Sequence, residues 1–236
     1  MTLDEISFNL LNLFRGGRSS QDEVISLAQI KFNVKHYRAV FIRRDYARNG
    51  LVTRHLEQDL RCVQLTKVDL SKCCNINLSC NAYRSVKKIP RTVRFNFEEA
   101  ITYVGDVSGL GRIQMIRPFE ANYISADKFT GKNAKAFMIE DYLYVINPNG
   151  TEYVNVRGIF EDPEEVAEFI DCGGVACYSG ASPFPMPMDM VQAITQGMMQ
   201  GELRLLAGTF TDTNLDRGQD LTPGAPQTAQ QNNQGE

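Results

Sequence analysis

The sequence predicts an α+β fold with a β domain inserted between helical segments, and three observations predict it. Apolar residues recur at three-four spacing within the first fifty residues and again after residue 188. Between about Cys62 and Phe160 the pattern shortens to runs rich in β-branched and aromatic residues, bounded by turn residues. From about Thr209 the periodicity gives way to Gly, Pro, Gln, Asn and Thr, a composition that cannot bury enough apolar surface to offset ordering entropy. The expected organisation is a helical part at 1–60, an inserted antiparallel β domain at 61–160, a C-terminal helical part of the same bundle at 161–208, and an extended or disordered arm at 209–236.

Leu3, Ile6, Leu10 and Leu13 form one stripe of an amphipathic helix over 3–14, and Thr2 with Glu5 makes a capping box in front of it. Gly16 and Gly17 supply the left-handed backbone of a helix end and predict a structural corner. Ser20 and Glu23 offer a second capping box. A longer helix follows from about Ser26 to Arg48 on the stripe Leu27, Ile30, Val34, Tyr37 and Phe41, with Lys31, Lys35, Arg38 and Arg44 away from it. Asn49-Gly50 closes that helix.

The runs CNAYRSV, AITYVG, RIQMIRP, KAFMI, YLYVIN and EYVNVRGIF read as strands. Three hairpins are expected: the clearest at INPNGTEY, where Asn149-Gly150 tolerates positive φ, then at VSGLGRI and at IEDY. A helix is expected at EDPEEVAEFI, with Asp162 as N-cap, Pro163 at its first position and Glu165 three residues after the cap. A Gly- and Pro-rich loop then leads to a last helix from Met188 to about Leu206, on the stripe Val191, Ile194, Met198 and Leu205.

At 236 residues the chain has room for an ordinary core, so neither metal nor disulfide is needed to hold it folded. A net charge of -3 argues against a protein built to coat nucleic acid. No secretory leader and no membrane segment is read, so a soluble chain made in the cytoplasm is expected, with its six cysteines as free thiols.

No reaction centre emerges. His36 and His55 have no nucleophile motif near them, and His36 reads as a structural or surface residue. Cys62, Cys73, Cys74 and Cys80 lack the C-x-x-C knuckle of a zinc site, and the spacing of Cys172 and Cys177 falls short of a redox pair. GDVSGLG is a turn rather than a dinucleotide loop. No catalytic residue, cofactor or metal is therefore assigned.

Two charge blocks stand out. Arg84, Lys87, Lys88, Arg91 and Arg94 run without an acid and are flanked by Tyr83 and Phe95. They suit phosphate contact, a solvated edge strand whose Lys and Pro deter edge-to-edge pairing, or the acidic block of a neighbouring subunit. That acidic block is Asp162, Glu164, Glu165 and Glu168.

The order of parts carries a resemblance. RGGRSS, IRRDYARNG, KKIPRTV, AITYVG, GRIQMIRP, DKFTGKN, PNGTEYVNVRGIFEDPEEVAEF and FPMPMDMV follow one another in a way that resembles the tail ring and head-to-tail connector proteins of crAss-like bacteriophages, and more loosely the gatekeeper adaptors of short-tailed phages. The resemblance spans residue 1 to about 208. It implies a virion protein without catalytic residues, forming a homo-oligomeric ring of about twelve copies. Its implied partners are the portal protein and adjacent ring proteins, with double-stranded DNA passing through the channel. The alternative it leaves is a non-ring assembly or docking adaptor bound to portal or fibre proteins; an enzyme is the remaining class.

Overall fold

The computed structural model describes residues 1–15, 25–50, 53–69, 82–95, 98–109, 111–126, 132–148, 150–201 and 203. The Gly16-Gly17 corner, the Ser20–Glu23 box, Cys73, Cys74, Cys80, Leu205 and the arm at 209–236 lie outside them. The α+β class holds: among the described residues three α-helices accompany a large mixed sheet.

Helix α1 (Leu3–Phe14) carries the expected capping box, with Glu5 N–H donating to Thr2 Oγ1 and Thr2 N–H to Glu5 Oε2. Its buried face is Leu3, Ile6, Ser7, Leu10 and Leu11. Leu13 departs from the expected stripe and is 57% exposed, because Phe14 takes the next inward position at the helix end. Helix α2 (Leu27–Asn49) starts on Ser26, whose hydroxyl accepts from Gln29 N–H, and ends on Gly50 at φ +65. Helix α3 (Met188–Gln200) buries Ile194 and Met198, and the three helices share one core with Phe184 and Leu203.

Helix α2 is apolar on two sides. Ile30 and Val34 face the helical core, while Ile42, with Ala39 and Tyr46 partly buried, faces Leu56, Val93, Phe95, Ala100 and Ile159. Arg38, expected only to lie off the first stripe, is fully buried between the two cores by that double burial. Its guanidinium donates to the carbonyls of Phe160 at 2.7 Å, Pro185 at 2.9 Å and Leu56 at 3.2 Å, and lies over the Phe184 ring. A planar five-donor fork can join three separate backbone segments in this way.

The strands are β1 (Gln58–Val68), β2 (Ala82–Ser85), β3 (Arg94–Phe95), β4 (Glu98–Glu99), β5 (Ile101–Asp106), β6 (Gln114–Met115), β7 (Lys135–Ile139), β8 (Tyr142–Ile146) and β9 (Tyr153–Gly158). β3 and β4 form a short ribbon, and the other seven lie in the order β5-β9-β1-β2-β8-β7-β6. The two ends of that order then meet: Gly105 bridges Arg112, Asp106 N–H donates to Gly111 O, and Ile113 N–H donates to Val104 O. The sheet thus closes on itself around Leu60, Val63, Leu65, Val104, Ile113, Ala136, Leu143, Val145, Val154 and Val156. The expected all-antiparallel sheet fails for a simple reason. Directions cannot alternate around a closed circle of seven, and the β6–β7 pair is the parallel one.

Two hairpins form where expected, at Glu140-Asp141, both with positive φ, and at 106–111. The INPNGTEY hairpin does not. Gly150 does adopt φ +85, but β8 pairs with β2 and β7 while β9 pairs with β1 and β5. The eleven-residue β1 serves both halves of the sheet, so the chain reverses at Gly150 and steps over the β1–β2 pair. The Pro118–Ala126 3-10 helix covers the outer face of β2, β7 and β8 through Ala121 and Ile124.

The helix expected at EDPEEVAEFI is a six-residue 3-10 helix, Pro163–Glu168. Its cap is as expected in residue but shorter in span, with Asp162 Oδ1 accepting from Glu164 N–H. Val166 and Phe169 belong to the barrel core, so the segment is held by the sheet rather than continued as a helix. A small hairpin follows, with Ile170 bridging Ala176 and Asp171 N–H donating to Val175 O. The thiols were expected free. Cys177 is, but Cys62 and Cys172 are joined as a disulfide with Cα atoms 5.4 Å apart, because folding brings two positions 110 residues apart together.

Candidate assembly interface

Helix α2 positions an exposed ridge. Phe32, His36 and Val40 recur every four residues, so they stand in line on one face. Phe32 is 68% exposed and Val40 45%, and the Phe32 and His36 rings stack 6.4 Å apart. The ridge borders an open groove completed by Lys35, Arg43, Arg91, Glu161, Asp162 and Glu165. Phe32 and Val40 thus leave large apolar side chains in water on a helix already buried on two sides, an exposure of the kind interaction surfaces carry.

The opposite wall follows from β pairing. Val93 N–H donates to Ile159 O, Thr92 bridges Phe160 and Glu161 N–H donates to Arg91 O. This lays the basic segment beside the acidic one within a single chain. Lys35 bonds Asp162 at 2.7 Å and Glu164 at 2.5 Å. Burial alone would pull the Lys35 ammonium down, but those two carboxylates hold it above its usual value. For Glu165, burial, then the charge of Asp162, holds the carboxyl above the usual range against the opposing pull of Arg91.

The remaining predicted residues separate. Arg84 sits over the Tyr142 ring at 4.6 Å and Lys88 over the same ring at 5.5 Å. Lys87 donates to Glu168 O at 2.9 Å and lies over Phe169. Arg94 is exposed on the ribbon opposite Glu99. The edge-strand reading of this block does not hold for Arg84, since β2 is flanked by β1 and β8. The structure therefore brings Arg91, Asp162 and Glu165 around one groove, ties Glu164 to it through Lys35, and leaves Arg84, Lys87, Lys88 and Arg94 elsewhere.

Sequence reasoning missed the Phe32–His36–Val40 ridge. Its signal was present: two large apolar residues at an eight-residue interval, off the buried stripe of a helix otherwise charged on that side. His36 is exposed, within the structural or surface role expected of it. Among the described residues no group of His, Cys, Asp and Glu is arranged to hold a metal ion, and no helix is long and apolar enough to cross a membrane.

A search of curated proteins gives no match. The profile of a family described as phage tail ring protein 2, from crAss-like phages, matches residues 5–221. That span runs past the limit of about residue 208 expected from the order of motifs and takes in the first part of the arm. Because it covers nearly the whole chain, the protein belongs to the tail ring protein 2 family of crAss-like phages, a structural component of the virion.

Proposed function

We propose that copies of this chain close into a homo-oligomeric ring of about twelve subunits, assembled in the host cytoplasm within the tail or head-to-tail connector. The ring surrounds the channel through which double-stranded DNA leaves and stacks against the portal protein or adjacent tail rings. The observation that carries this reading is the exposed α2 ridge beside a charged groove. A ring is built from head-to-tail contacts, in which each subunit offers two different faces. The α2 ridge supplies one. Phe119 and Tyr123, 58% and 69% exposed over the outer face of the barrel, supply a candidate second.

The charge distribution supports passage of DNA without tight grip. Four of the five cations in the basic block face an aromatic ring, a carbonyl or an acid of the same chain. Phosphate contacts strengthen through counterion release in proportion to the cations that meet phosphate, and a chain of net charge -3 whose basic block is partly engaged within itself supplies only a weak drive for it. Within the groove, Glu165, which already meets Arg91 of its own chain, can also take a basic group of the neighbouring copy.

Electron microscopy and mass measurement of the purified protein test the reading, with Phe32→Glu/Val40→Glu as the paired variant. Closed rings from the parent chain and folded monomers from the variant are expected. A parent chain that stays monomeric at high concentration and sits as isolated peripheral density on virions would replace the ring with a docking adaptor.

A further inference from the structure

The groove on α2 belongs to the assembly reading; a separate feature lies on the other side of the acidic segment. Cys62 sits in a bulge of β1, where the register with β9 shifts between Leu60 and Val63 and the cysteine itself takes φ +54. A left-handed residue turns its side chain out of the strand's alternation. The bulge directs Cys62 to the small hairpin at 170–176, and the bond to Cys172 ties that hairpin to the barrel wall. A Cα separation of 5.4 Å is what a bridge between two such backbones requires.

The surroundings show what the bond does. Cys172 borders two open clefts of about 480 and 500 Å³, one lined by Val63, Val86 and Phe169 and the other by Asp59, Tyr103 and Asn155. The hairpin therefore stands off the wall and is held at its root by Phe169 and Tyr178 in the barrel core. At its far end the bond is the tie. Cys172 is exposed to soluble thiols and disulfides, whereas Cys177, half-buried, is occupied: Arg61 N–H donates to its Sγ at 3.4 Å. Burial also keeps the Cys177 thiol protonated and poorly nucleophilic.

We infer that Cys62–Cys172 is a redox-gated staple, open as two thiols in the reducing cytoplasm and closed in the released particle, which pins the 169–177 hairpin to β1. The release step rests on the chain being a virion component; the staple itself does not depend on ring closure. The oxidant is a small-molecule disulfide such as oxidised glutathione. The Cys172 thiolate attacks one of its sulfurs, forming a mixed disulfide and expelling one glutathione thiolate. The Cys62 thiolate then attacks the Cys172 sulfur and expels the second. Two protein thiols are oxidised, one small disulfide is reduced to two thiols, and their two protons pass to the leaving thiolates.

The test uses the full chain, purified reduced and equilibrated with either reduced or oxidised glutathione, then alkylated and mapped by mass spectrometry. Oxidised glutathione is expected to yield a linked Cys62–Cys172 peptide with Cys177 alkylated. It should also slow thermolysin cleavage at Ile170 and Val175 several-fold and raise the thermal midpoint by about ten degrees, as closure of a long loop does in a chain of this size. Cys62→Ser and Cys172→Ser should each abolish all three effects, and Cys177→Ser none. Alkylation of both Cys62 and Cys172 after oxidation, a linked peptide containing Cys73, Cys74, Cys80 or Cys177 in place of this pair, or cleavage unchanged by oxidation would overturn the inference. Ring closure is read separately from particle images, so either result stands without the other.

Discussion

Replacing Arg38 by Met tests whether one buried cation holds the helices to the barrel. Burial pushes its pKa down to about 10, with Tyr178 and then Asp162 acting against the shift. Such a depression corresponds to a cost of roughly 3 kcal/mol for carrying the charge into the folded chain. Against it stand three hydrogen bonds to Leu56, Phe160 and Pro185. Methionine keeps much of the stem packing and removes the charge, but leaves three buried carbonyls without this donor, at about 1–3 kcal/mol each. Offsetting one against the other leaves a net loss of about 3 kcal/mol, or on the order of ten degrees in thermal midpoint for a chain of this size. Thermal and urea unfolding at fixed protein concentration measure it. Arg38→Lys, which keeps a charge but loses the fork, should also fall below the parent. An Arg38→Met chain as stable as the parent would refute the reasoning, since it would mean that charge burial cancels everything the carbonyl bonds contribute.

Gly105→Ala should open the closing seam of the sheet, because a Cβ there overlaps the Gly111 carbonyl and the Tyr103 hydroxyl. Hydrogen exchange at Asp106 and Ile113 should accelerate at least tenfold, while exchange in β7 and β8 changes less. Glu165→Gln should raise stability at neutral pH. The folded carboxyl holds its proton more tightly than the unfolded one, so its ionisation costs stability above the folded pKa and costs nothing below the unfolded value near 4.5. The gain in unfolding midpoint should shrink to zero as pH falls through that window; a gain that persists at pH 3 contradicts it.

Much of the fold was legible because local signals and tertiary packing agreed. Thr2-Glu5, Ser26, Gly50 and Glu140-Asp141 act through their own neighbours, and each sits where its sequence context places it. The failures share a cause. Asn149-Gly150 specifies a reversal, yet which strand β9 joins depends on β1, far earlier in the chain (Gln64 pairs with Tyr153 and Gln58 with Gly158), being long enough to bridge two half-sheets. Arg38 reads only as a residue off the apolar stripe, because three backbone carbonyls from distant segments leave no mark in the residues around it. The Cys62–Cys172 pair likewise depends on a bulge and a hairpin that meet only after folding. Of the assembly surface, the charged residues were visible as blocks, but their mutual contact was not, since it follows from the pairing of 91–93 with 159–161.

Closure of the seven-stranded sheet has a consequence for how copies of this chain can meet. Most strands spend both rows of backbone groups on neighbours, and along the outer row of the first half of β1 Arg61 N–H meets Cys177 Sγ while the Gln58 side-chain amide reaches across to donate to Pro163 O. Joining by strand addition would lock neighbouring molecules into steps of about 3.3 Å along a shared ladder. Side-chain faces on helices and loops impose no such quantum. They allow the angle between neighbours to be adjusted continuously, and a circle closes only when that angle, repeated from copy to copy, returns to its starting point.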